Sequence, residues 1–347
     1  MINIEIVDTI GNYDYLNQCQ NAFVYSTPRF MSLISTHLNA KSGWITAVNQ
    51  DEIVGAIPFL KKEGPLGQVY NSLAYYGSNG GVIQKNDNKE VKILLIKAFY
   101  ELAKLQNAIS ATIITNPLEQ DSGIYDLNSH YDLKDERIGQ ITHFPIMATH
   151  ESLMSHFSTP RPQNIRRALK EGVTVKSSHE HSDMKFLYET HVKNITAIKG
   201  LPKSELFFDL IDKYLKKEEW KIYIAELNNK PIAALLIFKF NQTVEYFTPA
   251  IVEEYRSTQA LSLIIYQAMQ EAIAEGFKNW NWGGTWITQN GVYDFKKRWG
   301  TSEYRYYYYT KIFDEKLRYA KKEDLAKFYS GFYLLPYSGL INEENIK

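Results

Sequence analysis

Residues 279–286, Asn-Trp-Asn-Trp-Gly-Gly-Thr-Trp, are followed closely by residues 291–300, Gly-Val-Tyr-Asp-Phe-Lys-Lys-Arg-Trp-Gly. The pattern predicts a short strand, a glycine turn, a helix of about two turns and a second glycine stop. Adjacent glycines after a strand let a ligand or another backbone approach closely. Four of the six tryptophans lie here beside three consecutive cations. This favours a binding site, but a tryptophan-rich core with a solvated cationic face fits the same residues.

The second half of this stretch resembles the C-terminal signature of the FemABX-like transferases, a branch of the GNAT acyltransferase superfamily. That signature runs Gly-Gly, spacer, Gly-Leu/Val-Tyr-x-Phe-Lys-x-x-Phe/Trp-Gly. The chain matches it at Gly291, Val292, Tyr293, Phe295, Lys296, Trp299 and Gly300. Residues 25–30 and 164–173 resemble other family segments more weakly. The resemblance implies an α/β fold with mixed α+β sheets and tandem GNAT-like domains, and transfer of an acyl or aminoacyl group.

An internal repeat points to the same architecture. Residues 44–59 and 222–237 each have apolar runs around a polar turn, as expected for a hairpin, and they align without gaps. The alignment pairs Gln50 with Asn228. A strand, a helix and a strand are predicted after each hairpin, at 73–76, 88–106 and 111–115 in the first copy and at 244–248, 257–275 and 279–283 in the second. Repetition of one order of elements predicts two copies of one α/β unit.

The domain boundary is predicted near residues 145–160, where residues 158–162 form a proline-marked break. The predicted domains are an N-terminal GNAT-like domain at 1–150, a C-terminal GNAT-like domain carrying the signature at 151–318, and a helical tail at 319–347. The coiled-coil arm that some FemABX-like proteins insert in their second domain has no room in this chain.

Composition limits the classes of function. With 347 residues, 44% of them hydrophobic, the chain can form two domains with a buried core. Lysine plus arginine equals aspartate plus glutamate at 39 each, so no overall charge favours DNA, and any anion site must be local. The single cysteine, Cys19, excludes an intramolecular disulfide and a cysteine-rich zinc site. No signal peptide or long apolar run is found, so we expect a cytoplasmic protein with at most peripheral membrane contact.

Lys296 is the first candidate for catalysis. The resemblance implies a role for the matching lysine in catalysis and in handling the aminoacyl donor, and a cation there would stabilise the charge of a tetrahedral intermediate. Glu245 and Asp294 are the candidate bases. Side chains alternate between the two faces of a strand, so Glu245 also fits a position that faces solvent. Lys297 and Arg298 also fit a solvated helix face.

The predicted donor site includes a helix start. In GNAT enzymes the pyrophosphate of coenzyme A binds a helix N-terminus opened by Arg/Gln-x-x-Gly-x-Gly/Ala, which corresponds to residues 256–261 here. Gln259 replaces the first glycine and counts against coenzyme A, whereas the balanced charge and missing arm count against aminoacyl-tRNA, so both donors stay open. The predicted donor-binding residues are Arg256, Ser257, Thr258, Gly283, Gly284 and Phe295. Ser257 also fits an N-cap, and Phe295 a core position shared with Trp299.

The predicted acceptor site lies at the domain junction. Arg166 and Lys170 share a helix face four residues apart and fit a phosphate site, although a solvated helix explains them equally well. The resemblance implies an acceptor with a diphosphate, a nucleotide- or lipid-linked envelope precursor, bound beside this junction. The predicted acceptor-binding residues are Arg161, Arg166, Lys170, Trp286 and Tyr293.

The sequence therefore predicts an acyltransferase that modifies an amine of a cell-envelope precursor, either peptidoglycan or an amino sugar of a surface polysaccharide. Acyl-CoA or aminoacyl-tRNA would be a donor substrate, with no tightly bound cofactor. The histidines lack metal-ligand spacing, and no nucleophilic Gly-x-Ser-x-Gly, phosphate loop or dinucleotide motif is present. The alternative is a non-catalytic GNAT-fold protein that binds a glycan or a peptide.

Overall fold

The computed structural model describes residues 2–11, 13–75, 79–145 and 150–341. The chain forms two compact units: unit 1 is Met1–Arg137 with Arg305–Lys347, and unit 2 is Ile138–Tyr304. This division differs from the predicted boundaries after residues 150 and 318. Residues 138–150 lie in unit 2, and the chain returns to unit 1 at Arg305 because its last strand pairs there.

The strands in chain order are β1 (Asn3–Val7), β2 (Lys41–Asn49), β3 (Glu52–Gly64), β4 (Gly67–Asn71), β5 (Ala108–Ile114), β6 (Leu133–His143), β7 (Thr174–Ser178), β8 (Trp220–Leu227), β9 (Lys230–Phe240), β10 (Thr243–Ile251), β11 (Asn279–Thr285) and β12 (Ser302–Ile312). The α-helices are α1 (Asp14–Gln18), α2 (Pro28–Leu38), α3 (Lys89–Leu105), α4 (Ser122–Asn128), α5 (His150–Ser155), α6 (Arg161–Lys170), α7 (His181–Ala197), α8 (Glu205–Tyr214), α9 (Ala260–Ala274), α10 (Asn290–Lys297) and α11 (Lys322–Phe328). Short 3₁₀ helices include Glu253–Thr258, immediately before α9.

Each unit contains a mixed sheet with the same order of strands. Unit 1 has the order β1-β2-β3-β4-β5-β12, and unit 2 has β7-β8-β9-β10-β11-β6. In both, the first four strands are antiparallel neighbours, the next pair is parallel and the last strand is antiparallel. The predicted duplication is thus present, and the last strand of each sheet comes from the opposite copy in sequence, β12 in unit 1 and β6 in unit 2.

The two hairpins repeat in detail. The β2–β3 pairing shifts by one residue after Ala47, and the β8–β9 pairing shifts after the aligned residue Ala225. The turn residues Gln50 and Asn228, which the sequence alignment pairs, both have positive φ, as tight hairpin turns require. Turn chemistry therefore sets the same register in both copies.

Two predicted elements differ in unit 1. The third strand of the first copy is β4, Gly67–Asn71, and not residues 73–76, of which Tyr76 lies outside the described residues. The tail beyond 319 is only partly helical: α11 ends at Phe328 and the chain then packs into the core of unit 1 through Leu334 and Leu335, while residues 342–347 lie outside the described part.

Aromatic side chains fill much of the core of unit 2. Trp282 and Trp299 stack with ring centroids 5.6 Å apart, and Phe157 meets the edge of Trp299 at 4.9 Å. Thr142 on β6 accepts a hydrogen bond from Trp282 Nε1 (2.9 Å) and donates one to the Trp299 carbonyl (3.0 Å). Trp282 and Trp299 therefore hold α10 against β11 and β6.

We expect Trp299→Ala to destabilise the protein by about 3–5 kcal/mol, because it replaces a fully buried indole ring by a cavity. Trp299 is 0% exposed, whereas Trp286 is 49% exposed. Trp286→Ala is the matched control and should change stability much less. Urea unfolding of the three proteins measures this, and equal losses for both variants would contradict the assignment of Trp299 to the core.

Candidate active site

The parallel strands β10 and β11 separate part-way along their length. Only residues Thr243–Glu245 of β10 pair with residues Asn279–Asn281 of β11. Beyond these residues β10 continues to Ile251 and β11 to Thr285. The pairing of each strand with its other neighbour is also irregular just beyond this point, between Tyr246 and Thr248 on β10 and between Asn281 and Gly284 on β11. We call the space between the strands beyond Glu245 and Asn281 the gap.

Lys296 lies at the carboxyl end of β11 with its ammonium buried. Its side chain comes from α10, and the residue is 6% exposed. Nζ donates to the carbonyls of Gly283 (3.2 Å) and Gly284 (3.1 Å) and to Thr285 Oγ1 (2.8 Å). Burial lowers the pKa of Lys296 to about 8. A desolvated cation held by neutral oxygens interacts strongly with any negative charge that forms near it.

The carbonyls around Lys296 are themselves held in place. Gly283 has φ +71°, a conformation that favours glycine, and its amide donates to Asn281 Oδ1 (2.9 Å). Thr285 donates to Gln140 Oε1 (3.4 Å), while Gln140 Nε2 donates to the Tyr293 carbonyl on α10 (3.1 Å). The two glycines of the signature thus shape a backbone turn that binds the signature lysine.

Of the two candidate bases, only Glu245 is buried. It is 1% exposed and stands in register beside Phe238 of β9 and Asn281 of β11. Phe238 contacts Phe247, which stacks on Phe207 of α8, so Glu245 lies on the sheet face that α8 covers and does not face solvent. Asp294 is exposed on α10. The structure therefore places Glu245, and not Asp294, at the start of the gap.

The start of α9 follows the carboxyl end of β10. Gln259 is the N-cap with φ +62°, the conformation a glycine would adopt, and its side chain donates to the Arg256 carbonyl (3.2 Å) instead of capping the helix. Thr258 Oγ1 accepts from the Ala260 amide (3.3 Å). Ser257 is exposed and is not the N-cap, since the helix begins three residues later than predicted, and Arg256 pairs with Glu253.

Phe295 belongs to the aromatic core. It is half-buried, with its ring 6.1 Å from Trp282 and 6.4 Å from Trp299 between centroids. The carbonyls of Gly283 and Gly284 are occupied by Lys296. These three predicted donor-binding residues therefore shape the surroundings of Lys296.

The predicted acceptor residues do not form one cluster. Arg161 is buried, with its guanidinium 4.3 Å from the Phe295 ring centroid and 5.3 Å from that of Trp299. Arg166 and Lys170 are exposed on the opposite side of α6, because one helix cannot turn residues 161, 166 and 170 to one side. Separately, Trp286 is half-exposed, and Tyr293 bonds to Glu303 and accepts from Lys297 Nζ (3.2 Å).

Near the gap lie two further polar residues, which the sequence analysis did not identify as site residues. Lys203, between α7 and α8, has its ammonium 5.1 Å from the Phe247 ring centroid, and burial lowers its pKa to about 8. Asn281 is the residue beside Glu245 at the start of the gap. A lone loop lysine and an asparagine within a strand carry no recognisable motif, and only the fold brings them to this place.

In the described residues of unit 1, the equivalent strands do not separate before β4 ends, and the equivalent helix start has an N-cap side-chain bond. β4 pairs with β5 as far as its last residue, Asn71. The start of α3 is capped by Asn88 Oδ1, which accepts from the amides of Glu90 (3.0 Å) and Val91 (3.2 Å). Lys92, one turn later, is paired with Glu119 and Asp121. Separated strands and a helix start without its own N-cap side-chain bond are thus found together in unit 2.

Residues 161–297 match the family model described as "Acetyltransferase (GNAT) domain". Among solved structures, the chain is similar to FemX, with a TM-score of 0.72 at 15% identity, over 90% of this chain and 98% of that one. It is also similar to L-PGS from Bacillus licheniformis, with a TM-score of 0.52 at 10% identity, over 80% of this chain and 86% of that one. The C-terminal domain of a putative lysylphosphatidylglycerol synthetase from Agrobacterium fabrum has a TM-score of 0.50 at 11% identity, over 80% and 88%.

No curated protein matches the sequence significantly. The domain model confirms a GNAT domain over residues 161–297, and the similarity to FemX is a similarity in fold. The predicted fold, a mixed α/β architecture of tandem GNAT-like units, is confirmed as well.

In the described part of the chain, no helix is long and apolar enough to cross a membrane. Among the same residues, no group of three or more histidine, cysteine, aspartate or glutamate side chains is arranged to hold a metal ion. The cytoplasmic location stays a prediction.

The buried ammonium predicts a pH dependence of stability. The pKa of Lys296 is about 8 in the folded protein, against an ordinary 10.5. Between these values the unfolded chain binds more protons, so raising the pH favours the folded state. The stability of the wild type relative to Lys296→Met should therefore rise between pH 8 and 10, by up to about 1.4 kcal/mol per pH unit.

Urea unfolding at several pH values measures this difference, and Lys170→Met, which removes an exposed lysine, corrects for the loss of one charge. A stability difference between wild type and Lys296→Met that stays constant from pH 7 to 10 would contradict the burial of a titrating ammonium.

Proposed function

We propose that the chain is an acyltransferase whose reaction takes place in the gap of unit 2. The observation that carries this proposal is the buried ammonium of Lys296 at the carboxyl end of β11, next to the place where β10 and β11 separate. A gap between parallel strands admits an extended acyl donor, and a desolvated cation at its edge stabilises negative charge. The GNAT domain match over residues 161–297 supports the same class of reaction.

The proposed reaction joins an amine to an acyl carbonyl. The amine nitrogen attacks the carbonyl carbon, and Glu245 accepts the proton that the nitrogen loses. The oxyanion of the tetrahedral intermediate is stabilised by the field of Lys296. The C–N bond is then complete and the C–S bond of a thioester, or the C–O bond of an aminoacyl ester, breaks, with the leaving group taking up a proton.

The donor is proposed to approach along the start of α9. A helix N-terminus attracts phosphate through its free amides and its dipole. Because the Gln259 side chain turns back to the Arg256 carbonyl, it leaves this end less crowded than the sequence suggested. This supports acyl-CoA as the first donor to test, with aminoacyl-tRNA as the other.

The acceptor is proposed to be an amine of a nucleotide- or lipid-linked envelope precursor, from peptidoglycan or a surface polysaccharide. The FemABX-like resemblance supports this class. Arg161, Trp286 and Tyr293 remain proposed acceptor contacts, whereas Arg166 and Lys170, on the far side of α6, would engage only a large acceptor.

One observation favours the alternative, a non-catalytic protein that binds a glycan or peptide. All three hydrogen-bond donors of the Lys296 ammonium are used by oxygens of the protein itself. An ammonium satisfied in this way also serves as a structural clamp. The two roles predict different results when Lys296 is replaced: a catalytic role predicts loss of turnover with folding intact, whereas a structural role does not.

The experiment measures acyl transfer from radiolabelled acetyl-CoA, and separately from charged tRNA, to a panel of amino sugars and envelope precursors. We expect Lys296→Met and Glu245→Gln each to reduce kcat by at least about 100-fold with folding intact, since each removes a group used in the transition state. Lys297→Met, the exposed neighbour on α10, should stay within a few-fold of wild type. Full turnover by Lys296→Met would contradict the proposal, and saturable binding without turnover would favour the alternative.

A further inference from the structure

Asn281 occupies the last paired position before β10 and β11 separate. It is 1% exposed and stands in register between Glu245 of β10 and Ile141 of β6. Residues paired in register point to the same face of a sheet, with neighbouring strands about 4.8 Å apart. The side chain of Asn281 therefore has one polar neighbour in its row, the carboxylate of Glu245.

The two ends of the Asn281 side chain have different surroundings. Its Oδ1 accepts a hydrogen bond from the Gly283 amide at 2.9 Å. Its Nδ2 is buried and has no hydrogen-bond partner within the described residues. A buried amide group without a partner is unfavourable, so such a group is normally matched by a polar neighbour or by an ordered water. The neighbour of Asn281 on β6 is the apolar Ile141, so the polar partner for Nδ2 lies on the side of Glu245.

The oxygen end of Asn281 leads to Lys296. The peptide that Asn281 holds belongs to Gly283, and the carbonyl of Gly283 accepts from Lys296 Nζ at 3.2 Å. The backbone is irregular at this point, since the pairing with β6 shifts between Asn281 and Gly284. The Asn281 oxygen therefore helps to hold the Gly283 peptide in its left-handed conformation.

We propose that Asn281 is a positioning residue that holds the base and the cation of the site in register. Its amide group orients the Glu245 carboxylate, through one bridging water, and its carbonyl oxygen fixes the peptide that binds Lys296. This inference rests on the proposed function, because it assigns Asn281 to the same reaction. Few other side chains supply a short acceptor and a donor from one position: leucine has neither, and aspartate has only the acceptor.

Three variants separate the two halves of the side chain. Asn281→Asp keeps an oxygen for the Gly283 amide but loses the donor, and Asn281→Ala loses both. Asn279→Asp is the matched control: it makes the same change two residues earlier on the same face of β11, where Asn279 Oδ1 instead contacts His143 Nδ1 at 2.8 Å.

The first readout is turnover with the donor and acceptor that the wild type uses. We expect Asn281→Asp to lower kcat at least about 10-fold with little change in KM, because the base is misoriented while the donor site persists. Asn281→Ala should lose as much or more, and Asn279→Asp should stay within about 2-fold. Wild-type kcat in Asn281→Asp, or an equal loss in Asn279→Asp, would overturn the assignment.

Two readouts do not depend on turnover and so separate this inference from the proposed function. In protein with ¹⁵N-labelled asparagine, the side-chain amide resonances of Asn281 should move on Glu245→Gln, whereas those of Asn279 stay in place. Lys296 should react with acetic anhydride several-fold faster in Asn281→Ala than in wild type or Asn281→Asp.

Unmoved Asn281 resonances in Glu245→Gln would refute the link to Glu245. Equal labelling of Lys296 in all three proteins would refute the link to the cation. The resonance measurement uses wild-type Asn281, so it decides the first link even where a variant at 281 does not fold.

Discussion

The site in unit 2 depends on one interaction, the binding of the buried Lys296 ammonium by three oxygens at the end of β11. A buried cation without oxygen ligands is costly, so the backbone of residues 283–285 must present its oxygens inward. That geometry is supported by the left-handed conformation of Gly283 and by the hydrogen bonds of the Gln140 side chain to Thr285 and to the Tyr293 carbonyl. It also requires α10 to lie close to β11, which the stacked pair Trp282 and Trp299 ensures. The stretch thus contains both an aromatic core and the buried ammonium of Lys296.

The two copies of the duplicated unit differ at the positions that form the candidate site in unit 2. Both copies place a helix after the third strand and a parallel strand after that helix. In unit 1, Asn88 caps the helix and the parallel strands stay paired to the end of β4. In unit 2, the strands part after Glu245 and Asn281, and the helix begins at a left-handed Gln259 whose side chain does not cap it. Small differences at equivalent positions therefore distinguish a scaffold from a candidate active site.

Much of the fold could be predicted from the sequence because its determinants are local. Hairpin turns, the β11 strand and the α10 helix follow from alternation, turn residues and glycine stops. The placement of β6 and β12 could not be predicted, because strand pairing across more than a hundred residues leaves no local trace. For the same reason the predicted domain boundaries, after residues 150 and 318, differ from the limits of the two units.

The candidate site was predictable mainly where a motif marks it. Lys296 lies in a signature, whereas Asn281 and Lys203 gain their significance from neighbours supplied by other strands and helices. Arg166 and Lys170 show the opposite case: their spacing suggested a cluster with Arg161, but the helix turns them to the other side. Ser257 is not the N-cap because it lies in a 3₁₀ helix, and α9 begins only after that helix. Residue propensities do not distinguish this 3₁₀ helix from the start of an α-helix.

The most direct test of this account is hydrogen–deuterium exchange with and without donor, using acetyl-CoA in one series and charged tRNA in the other. A bound donor should slow exchange at residues 256–262 and 283–286 of unit 2 and leave residues 85–92, at the start of α3 in unit 1, unchanged. Slowed exchange at residues 85–92, or no change at either place with both donors at saturating concentration, would contradict the assignment of the reaction to the gap between β10 and β11.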